Sequence, residues 1–571
     1  MRRLLHMLLI AAVMLAAAGC GSERSAPPLD ETSAAAELAF VTLPSILRLT
    51  PTMKVVDRDD AGVSIELTAA RGEREGAQIV AWATEGKPRI VVETSGLRAK
   101  SGARIPAARV RAYIEQAMKV EHGSPAGRSG VYVDPLIPAA DRAVVVSDSE
   151  RLLAWIDIDV PAGAEPGSYV GSVRLVRASK NGMPLAGEDS VLARVPVRVR
   201  VRPTTLPHIP TLASHIGFDQ SQLIRFEGVK ANSDELREVT ERYASELAAA
   251  RLSIADVGVD VPGAMPGSAA SPQDAAYLKR IFDQRGVASV RIPFYISHPF
   301  PDPLGRDRPA AVAYLRAAAR WARQNGWGDR AYVFAIDEPD DAAAGDVREL
   351  HELVRDADPR LRLLVTREAS AREFQGIVDI WSPNISPTRY RAADVKRELR
   401  AGRETWWYPS ITTFQPHPTL FIDELRPTPR ALGWLAWRDG VRGFLYWTAT
   451  HWHEVEDPYR DPGTYNEPDV VGNGDGVLLY PGGPIGLPGT PVPSVRLFQL
   501  RDGIEDHDLL VQARCAATPD QQRRITAAVR AAVPAIDRID PTSDQVEALR
   551  MAAFSAIERR GAPARCGNAG P

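Results

Sequence analysis

Cysteine is scarce in this chain, with three in 571 residues, at positions 20, 515 and 566. That excludes a disulfide-built scaffold and a four-cysteine zinc site. Net charge is nearly absent too, since 69 Lys and Arg face 72 Asp and Glu. A nucleic-acid binder held by phosphate contacts is thereby set aside. After the first 20 residues no apolar run is long enough to cross a bilayer. What is present is the composition of a globular protein, 44% hydrophobic and 25% charged. The length allows two to four domains, or a small domain beside a barrel of about 250 residues.

Residues 1–20 read MRRLLHMLLIAAVMLAAAGC, with Arg2 and Arg3, an apolar stretch from Leu4 to Ala18, then Gly19 and Cys20. A charged start, an apolar middle and small residues at the end make an export signal. The cysteine after Ala-Ala-Gly resembles a bacterial lipobox. That implies removal of 1–19, lipidation of Cys20 and a protein held in the cell envelope, outside the cytoplasm, by a membrane anchor. Residues 20–45 read as a flexible tether. In an oxidising compartment Cys515 and Cys566 could pair and pin the C-terminal tail, or could stay as two buried thiols; spacing leaves both open.

From about Thr50 to Pro203 the hydrophobic pattern has period two. It is clearest where Val195, Val197, Val199 and Val201 alternate with Arg198, Arg200 and Arg202. Short strands separated by Gly, Pro and Asp turns predict an antiparallel β-sandwich over 46–205. After Pro210 strands and helices alternate. Eight strand candidates occur at 212–218, 251–259, 288–296, 331–337, 361–366, 378–382, 404–408 and 441–447. Helical stretches separate most of them, one with Ser233 placed as an N-cap, and 493–513 supplies the last helix. The pattern predicts an α/β fold, a (β/α)8 barrel over 206–516, with a doubly wound open sheet as the alternative. A helical tail, 517–571, carries no distinctive polar residues.

A barrel places its site at the C-terminal ends of the strands. The fourth strand ends in AYVFAIDEPDD, so Asp337 and Glu338 emerge together, and Pro339 forbids helix at Glu338 and ends the ladder, which turns both carboxylates onto the active face. Adjacent carboxyls in different surroundings can hold different pKa values, one serving as acid while the other stays anionic. The alternative is a helix start capped by Asp340 or Asp341. Five of 11 Trp fall at or just beyond strands six to eight: Trp381, Trp406, Trp407, Trp447 and Trp452, with Tyr408 and Tyr446 beside them. Such rings stack on the C–H faces of sugars. Strand alternation aims Trp406 and Trp407 oppositely, so one of them belongs to the core. His451, His453 and Glu454 offer two imidazoles at a metal-like spacing, but a third ligand at motif spacing is missing. The simpler expectation is a polar loop from which His451 or His453 bonds substrate, with no metal and no cofactor. NGDG at 473–476 reads as a tight turn rather than a calcium loop.

IDEP at 336–339, RALGWLAWRDGVRGFLYW at 430–447, NGDGVLLYPG at 473–482 and SVRLFQLRDGIEDHDLL at 494–510 together resemble the catalytic domain of glycoside hydrolase family 123. The stretches at 69–80 and 161–173 resemble the β-sandwich that precedes that barrel. The resemblance implies a retaining exo-acting β-N-acetylgalactosaminidase, or a relative acting on another N-acetylhexosamine, working by substrate assistance on a glycan. Glu338 would be the general acid/base. Asp337 would orient the 2-acetamido group, whose oxygen attacks the anomeric carbon. Trp381, Trp407, Tyr408, Tyr446, Trp447 and His451 are the candidate substrate contacts. Phe498 and His507 depart from the usual Glu and Tyr and bear, on this reading, on substrate identity. Two other functions remain open: a non-catalytic carbohydrate-binding surface lipoprotein, and a metal hydrolase built on His451 and His453.

Overall fold

The computed structural model describes residues 37–560 apart from positions 57, 141, 284 and 285. The leader 1–19, Cys20 and Cys566 lie outside the described residues, so neither lipidation nor the Cys515–Cys566 pairing is addressed by it. Among the described residues no helix is long and apolar enough to cross a membrane.

The N-terminal region is a sandwich of two sheets. The first runs Leu38–Pro44, Arg74–Ala83, Leu152–Asp159, Val110–Val120, Gly130–Pro138, all antiparallel. Its first strand falls inside the stretch expected to be tether. Leu38, Val41 and Leu43 bury against the Arg74–Ala83 strand, so order begins before position 46. The second sheet is built on Val191–Thr205, whose four alternating valines are at most 2% exposed. It pairs antiparallel with Gly167–Arg177 but parallel with Ile65–Arg71. That parallel edge departs from a purely antiparallel sandwich. Ile65–Arg71 and Arg74–Ala83, consecutive in the chain, belong to different sheets. Gly72 turns between them at φ 78°.

The second region is a nearly closed parallel barrel. Its strands lie in the order Ala213–Ile216, Gly443–Tyr446, Glu404–Trp407, Ile380–Trp381, Arg362–Val365, Ala331–Phe334, Val290–Ile292. Seven of the eight expected strands form. The second candidate, 251–259, keeps only a bridge between Ile216 and Ile254. Two backbone bonds hold that bridge, Ile216 N–H to the Ser253 carbonyl at 3.0 Å and Ala255 N–H to the Ile216 carbonyl at 2.8 Å, and serine side chains add to them: Ser253 N–H donates to Ser214 Oγ at 2.7 Å, and Ser214 N–H to Ser289 Oγ at 3.0 Å. Asp256 and Gly258, poor strand formers, explain why pairing stops there. The helices α1 (Gln220–Glu227), α2 (Asp234–Ala249), α3 (Pro272–Phe282), α4 (Arg308–Gln324), α5 (Ala344–Ala357), α6 (Ala392–Arg400), α7 (Thr428–Asp439) and α8 (Val495–Ala516) complete the units, and Ser233 caps α2. Tyr332, Leu364, Ile380, Trp406 and Leu445, one from each of five strands, fill the inner face. A Cβ on Gly443 would lie 2.3 Å from the Trp406 ring, so glycine makes room for that indole.

Helix α8 is buried on nearly every side between sandwich and barrel, although its sequence is rich in charge. The charges are paired, as burial requires. Arg496 meets Asp134 at 2.7 Å, and Arg501 meets Asp157 at 2.7 Å and Asp502 at 2.8 Å. Arg430 of α7 meets Asp506 at 2.9 Å. The tail forms α9 (Pro519–Ala532) and α10 (Ser543–Arg560), and Arg550 of α10 joins Glu73, Glu75 and Asp506. Helices α7 and α8 cross at Gly433 and Gly503; a Cβ on Gly433 would sit 1.8 Å from the Gly503 carbonyl oxygen. Much of the family-like sequence is therefore scaffold.

Candidate active site

Asp337 and Glu338 follow the Ala331–Phe334 strand at its C-terminal end, the mouth of the barrel, and both open to solvent. Glu338 has φ 40°, a left-handed conformation that costs a side chain of this size roughly 1–3 kcal/mol. No helix forms at Glu338, as expected before Pro339, and the backbone there turns left-handed. Thr366, at the end of the next strand, holds the turn. Its Oγ1 accepts the Glu338 N–H at 2.6 Å and donates to Asp337 Oδ1 at 2.8 Å. The Asp337 N–H donates to Tyr295 Oη at 3.1 Å. Glu338 reaches the other way, where the Tyr408 hydroxyl donates to Oε1 and Arg389 lies 3.9 Å from Oε2.

These surroundings separate the two carboxyls. Asp337 is open to solvent on one side and crowded by protein atoms on the other. Partial loss of solvent raises its pKa above the ordinary value, Thr366 opposes the rise and the neighbouring Glu338 adds to it. Burial, then the hydrogen bond to Glu338, pushes the Tyr408 phenol upward, so it remains a donor across the working pH range. Asp340 also caps the short turn that leads into α5, accepting from Ala343 N–H at 3.1 Å. The helix-start reading of this motif and the catalytic one therefore describe different carboxylates of the same run.

A second cluster follows the Gly443–Tyr446 strand. Trp447 is tilted against His451 at 4.7 Å between centroids and meets Tyr465 edge-on at 5.3 Å. Its indole N–H donates to Asp475 Oδ1 at 3.2 Å, which also accepts from the Tyr446 hydroxyl at 3.2 Å. Asp475 is buried, and its pKa is pushed up to about 6 by desolvation, against those hydrogen bonds. Gly476, at φ 74°, lies where a Cβ would strike Trp447 at 2.4 Å. NGDG is thus a turn that braces the tryptophan. Burial, then His453, holds His451 below its ordinary pKa. Nε2 of His453 lies 2.5 Å from Asp219 Oδ2, and Gln222 approaches the same ring at 3.0 Å. Among the described residues, the one trio of acidic side chains close enough to share an ion is Glu73, Glu75 and Asp506, which Arg430 and Arg550 neutralise.

The structure brings Tyr408 onto Glu338, sets Tyr446 and Trp447 on the buried Asp475 carboxylate and lays His451 against Trp447. It places other expected substrate contacts elsewhere. Trp381 is fully buried with its N–H on Glu398 of α6 at 3.0 Å. Trp407 is fully buried against Tyr390 at 5.3 Å, in the layer between strands and helices. Alternation points Trp406 inward and Trp407 outward, the reverse of the expected choice. Tyr446 is fully buried, so its hydroxyl acts through Asp475. Trp452 is core, donating to the Leu479 carbonyl at 3.1 Å. Phe498 packs edge-on against Tyr113 and Trp155 in the sandwich interface. His507 contacts Thr211, which precedes the first barrel strand. Neither lies at the mouth, so their departures from the family pattern do not bear on substrate identity. Thr366, Tyr295 and Arg389 were missed, although Thr366 and Tyr295 end predicted strands, where a barrel displays its functional side chains.

A family model described as the glycoside hydrolase 123 catalytic domain matches residues 308–513, and one described as the glycoside hydrolase 123 N-terminal domain matches residues 53–177. Among solved structures, a family 123 glycoside hydrolase from Clostridium perfringens, described in terms of glycolipid glycan hydrolysis, matches with a TM-score of 0.63 at 14% identity. The match covers 91% of this chain and 97% of that one. A β-glucuronidase from Bifidobacterium dentium matches with a TM-score of 0.29 at 12% identity, covering 82% of this chain and 67% of that one. No curated protein matches the chain.

Proposed function

The chain belongs to glycoside hydrolase family 123 and is a glycoside hydrolase, and from that premise we propose a retaining exo-glycosidase that removes terminal β-linked N-acetylgalactosamine, or a related N-acetylhexosamine, by substrate assistance. The observation that carries this reading is the Thr366 bridge, which fixes two adjacent carboxylates in different surroundings at the mouth of the barrel. Glu338, braced by Tyr408, protonates the glycosidic oxygen as the bond to the anomeric carbon breaks. The acetamido oxygen forms the new bond to that carbon, giving an oxazolinium ion, and Asp337 orients the acetamido N–H and offsets the developing positive charge. Glu338 then takes a proton from water, which opens the ring with net retention. Trp447, edged by Tyr465 and His451, supplies an aromatic face for the sugar.

Glycolipid glycans are the substrate class suggested by the description of the Clostridium perfringens enzyme. The proposal includes location: an enzyme lipidated on Cys20 and held in the bacterial envelope. A panel of aryl β-glycosides with and without the 2-acetamido group tests the reading. Turnover confined to acetamido sugars is expected, and equal cleavage of sugars lacking that group would overturn it.

A further inference from the structure

A cavity of about 350 Å³ opens beside Tyr295, in the seam left by the incomplete second strand, and runs between the 255–261 segment and the Val290–Ile292 strand toward α3 and α4. Most of its lining is apolar, but it also holds Asp256 and Arg291. Arg291 Nη1 meets Asp256 Oδ2 at 2.6 Å, and the two side chains are 12% and 45% exposed, so the carboxylate faces open space. Among the described residues Arg291 Nε is buried without a hydrogen-bond partner. The guanidinium also lies over the Phe334 ring, at 5.9 Å from its centroid. The half-exposed Asp256 carboxylate, held by Arg291, offers the cavity an acceptor of the kind that a ligand rich in hydroxyls would use.

The position of the pair indicates which part of a ligand it meets. Tyr295 lines the cavity and also accepts the Asp337 N–H, so the cavity adjoins Asp337. Glu338 points the opposite way, to Tyr408 and Arg389. On the proposed reading, Glu338 acts at C1 and Asp337 at the group on C2. Continuing past Asp337 along the sugar ring reaches C3 and C4. We propose that Asp256 and Arg291 bind the C3 and C4 hydroxyls of the sugar being cleaved and set the preference for configuration at C4. This rests on the assignment of Asp337 and Glu338 made above. The cavity ends against α3 and α4, so no further sugar extends from that side, in keeping with action at a chain end.

The test couples changes in enzyme and substrate. Asp256→Asn keeps the side-chain size and removes the charge, and Arg291→Lys keeps the charge and removes the fork. Both are compared with the parent on aryl N-acetyl-β-galactosaminide, its C4 epimer and its 4-deoxy analogue. Each variant is expected to lose about 10- to 100-fold in kcat/KM on the parent substrate. It should lose little more on the 4-deoxy analogue, and the ratio between the C4 epimers should collapse toward one. Thermal melts establish that the variants fold. Calorimetric binding of N-acetylgalactosamine and its 4-deoxy form gives the same coupling without turnover, so the clamp is judged even if the catalytic assignment fails. Losses that multiply independently, with the epimer ratio unchanged in both variants, would overturn the proposal.

Discussion

Thr366 donates to Asp337 Oδ1 at 2.8 Å with the same oxygen that accepts the Glu338 N–H at 2.6 Å. One hydroxyl therefore both favours the ionised form of the first carboxylate and holds the left-handed turn that aims the second. A hydroxyl that must donate in one direction and accept in the other has no freedom to rotate, which preorganises the pair before substrate arrives.

Replacing this hydroxyl should show in the pH profile. Thr366→Val removes a hydrogen bond that favours ionised Asp337, so the Asp337 pKa rises further above its ordinary value. Because Asp337 must be anionic to work, the acidic limb of kcat/KM moves to higher pH, and the plateau falls by roughly 10-fold. Thr366→Ser should restore both. An acidic limb that stays in place while activity falls would assign Thr366 a purely structural role.

The two carboxylates should respond differently to the leaving group. Glu338→Gln is expected to lose about 100-fold or more on poorly leaving alcohols, yet to keep much of the first step when the aglycone leaves without protonation. Asp337→Asn should harm all substrates alike, because the charge it removes is needed at every transition state. A thiazoline mimic of the cyclised intermediate should inhibit the parent strongly. A sugar trapped covalently on Asp337, seen by mass spectrometry, would contradict this division.

Asp475 ties stability to pH. Its pKa is about 6 in the folded protein against an ordinary 3.8, so the folded state holds this proton more tightly than the unfolded chain does. The stabilisation is complete below about pH 4 and fades as pH rises through 6, by about 3 kcal/mol at most. Asp475→Asn keeps an acceptor for Trp447 and Tyr446 but cannot ionise. Its Tm relative to the parent should therefore rise between pH 4 and pH 7. A constant difference across that range would show that Asp475 stays ionised.

Anchoring is tested by fractionation. A multiply acylated Cys20 holds a protein in the membrane, where one chain alone binds marginally. Cys20→Ala should release the enzyme or block its maturation, and an unchanged distribution would exclude the lipid anchor.

Several features could be read without coordinates, because they depend on local rules. The valine and arginine alternation of 195–202 specifies one buried face, and a strand before Pro339 has to deliver Asp337 and Glu338 side by side. The order of strands and helices after Pro210 leaves few folds, and a barrel has only one functional end. Other features belong to the tertiary structure alone. Period-two reasoning states that Trp406 and Trp407 face opposite ways, but which one faces inward depends on strand register and on Gly443 opening space for the Trp406 ring. The charges of 494–510 look like a solvated or catalytic face in sequence, and become scaffold only because partners such as Asp134 and Asp157, more than 340 residues away in the chain, arrive to pair with them. The same holds at the site. A threonine at 366 and an arginine at 389 have no motif to mark them, since the sequence records which side chains exist whereas the closing of the barrel decides which carboxylate each one meets.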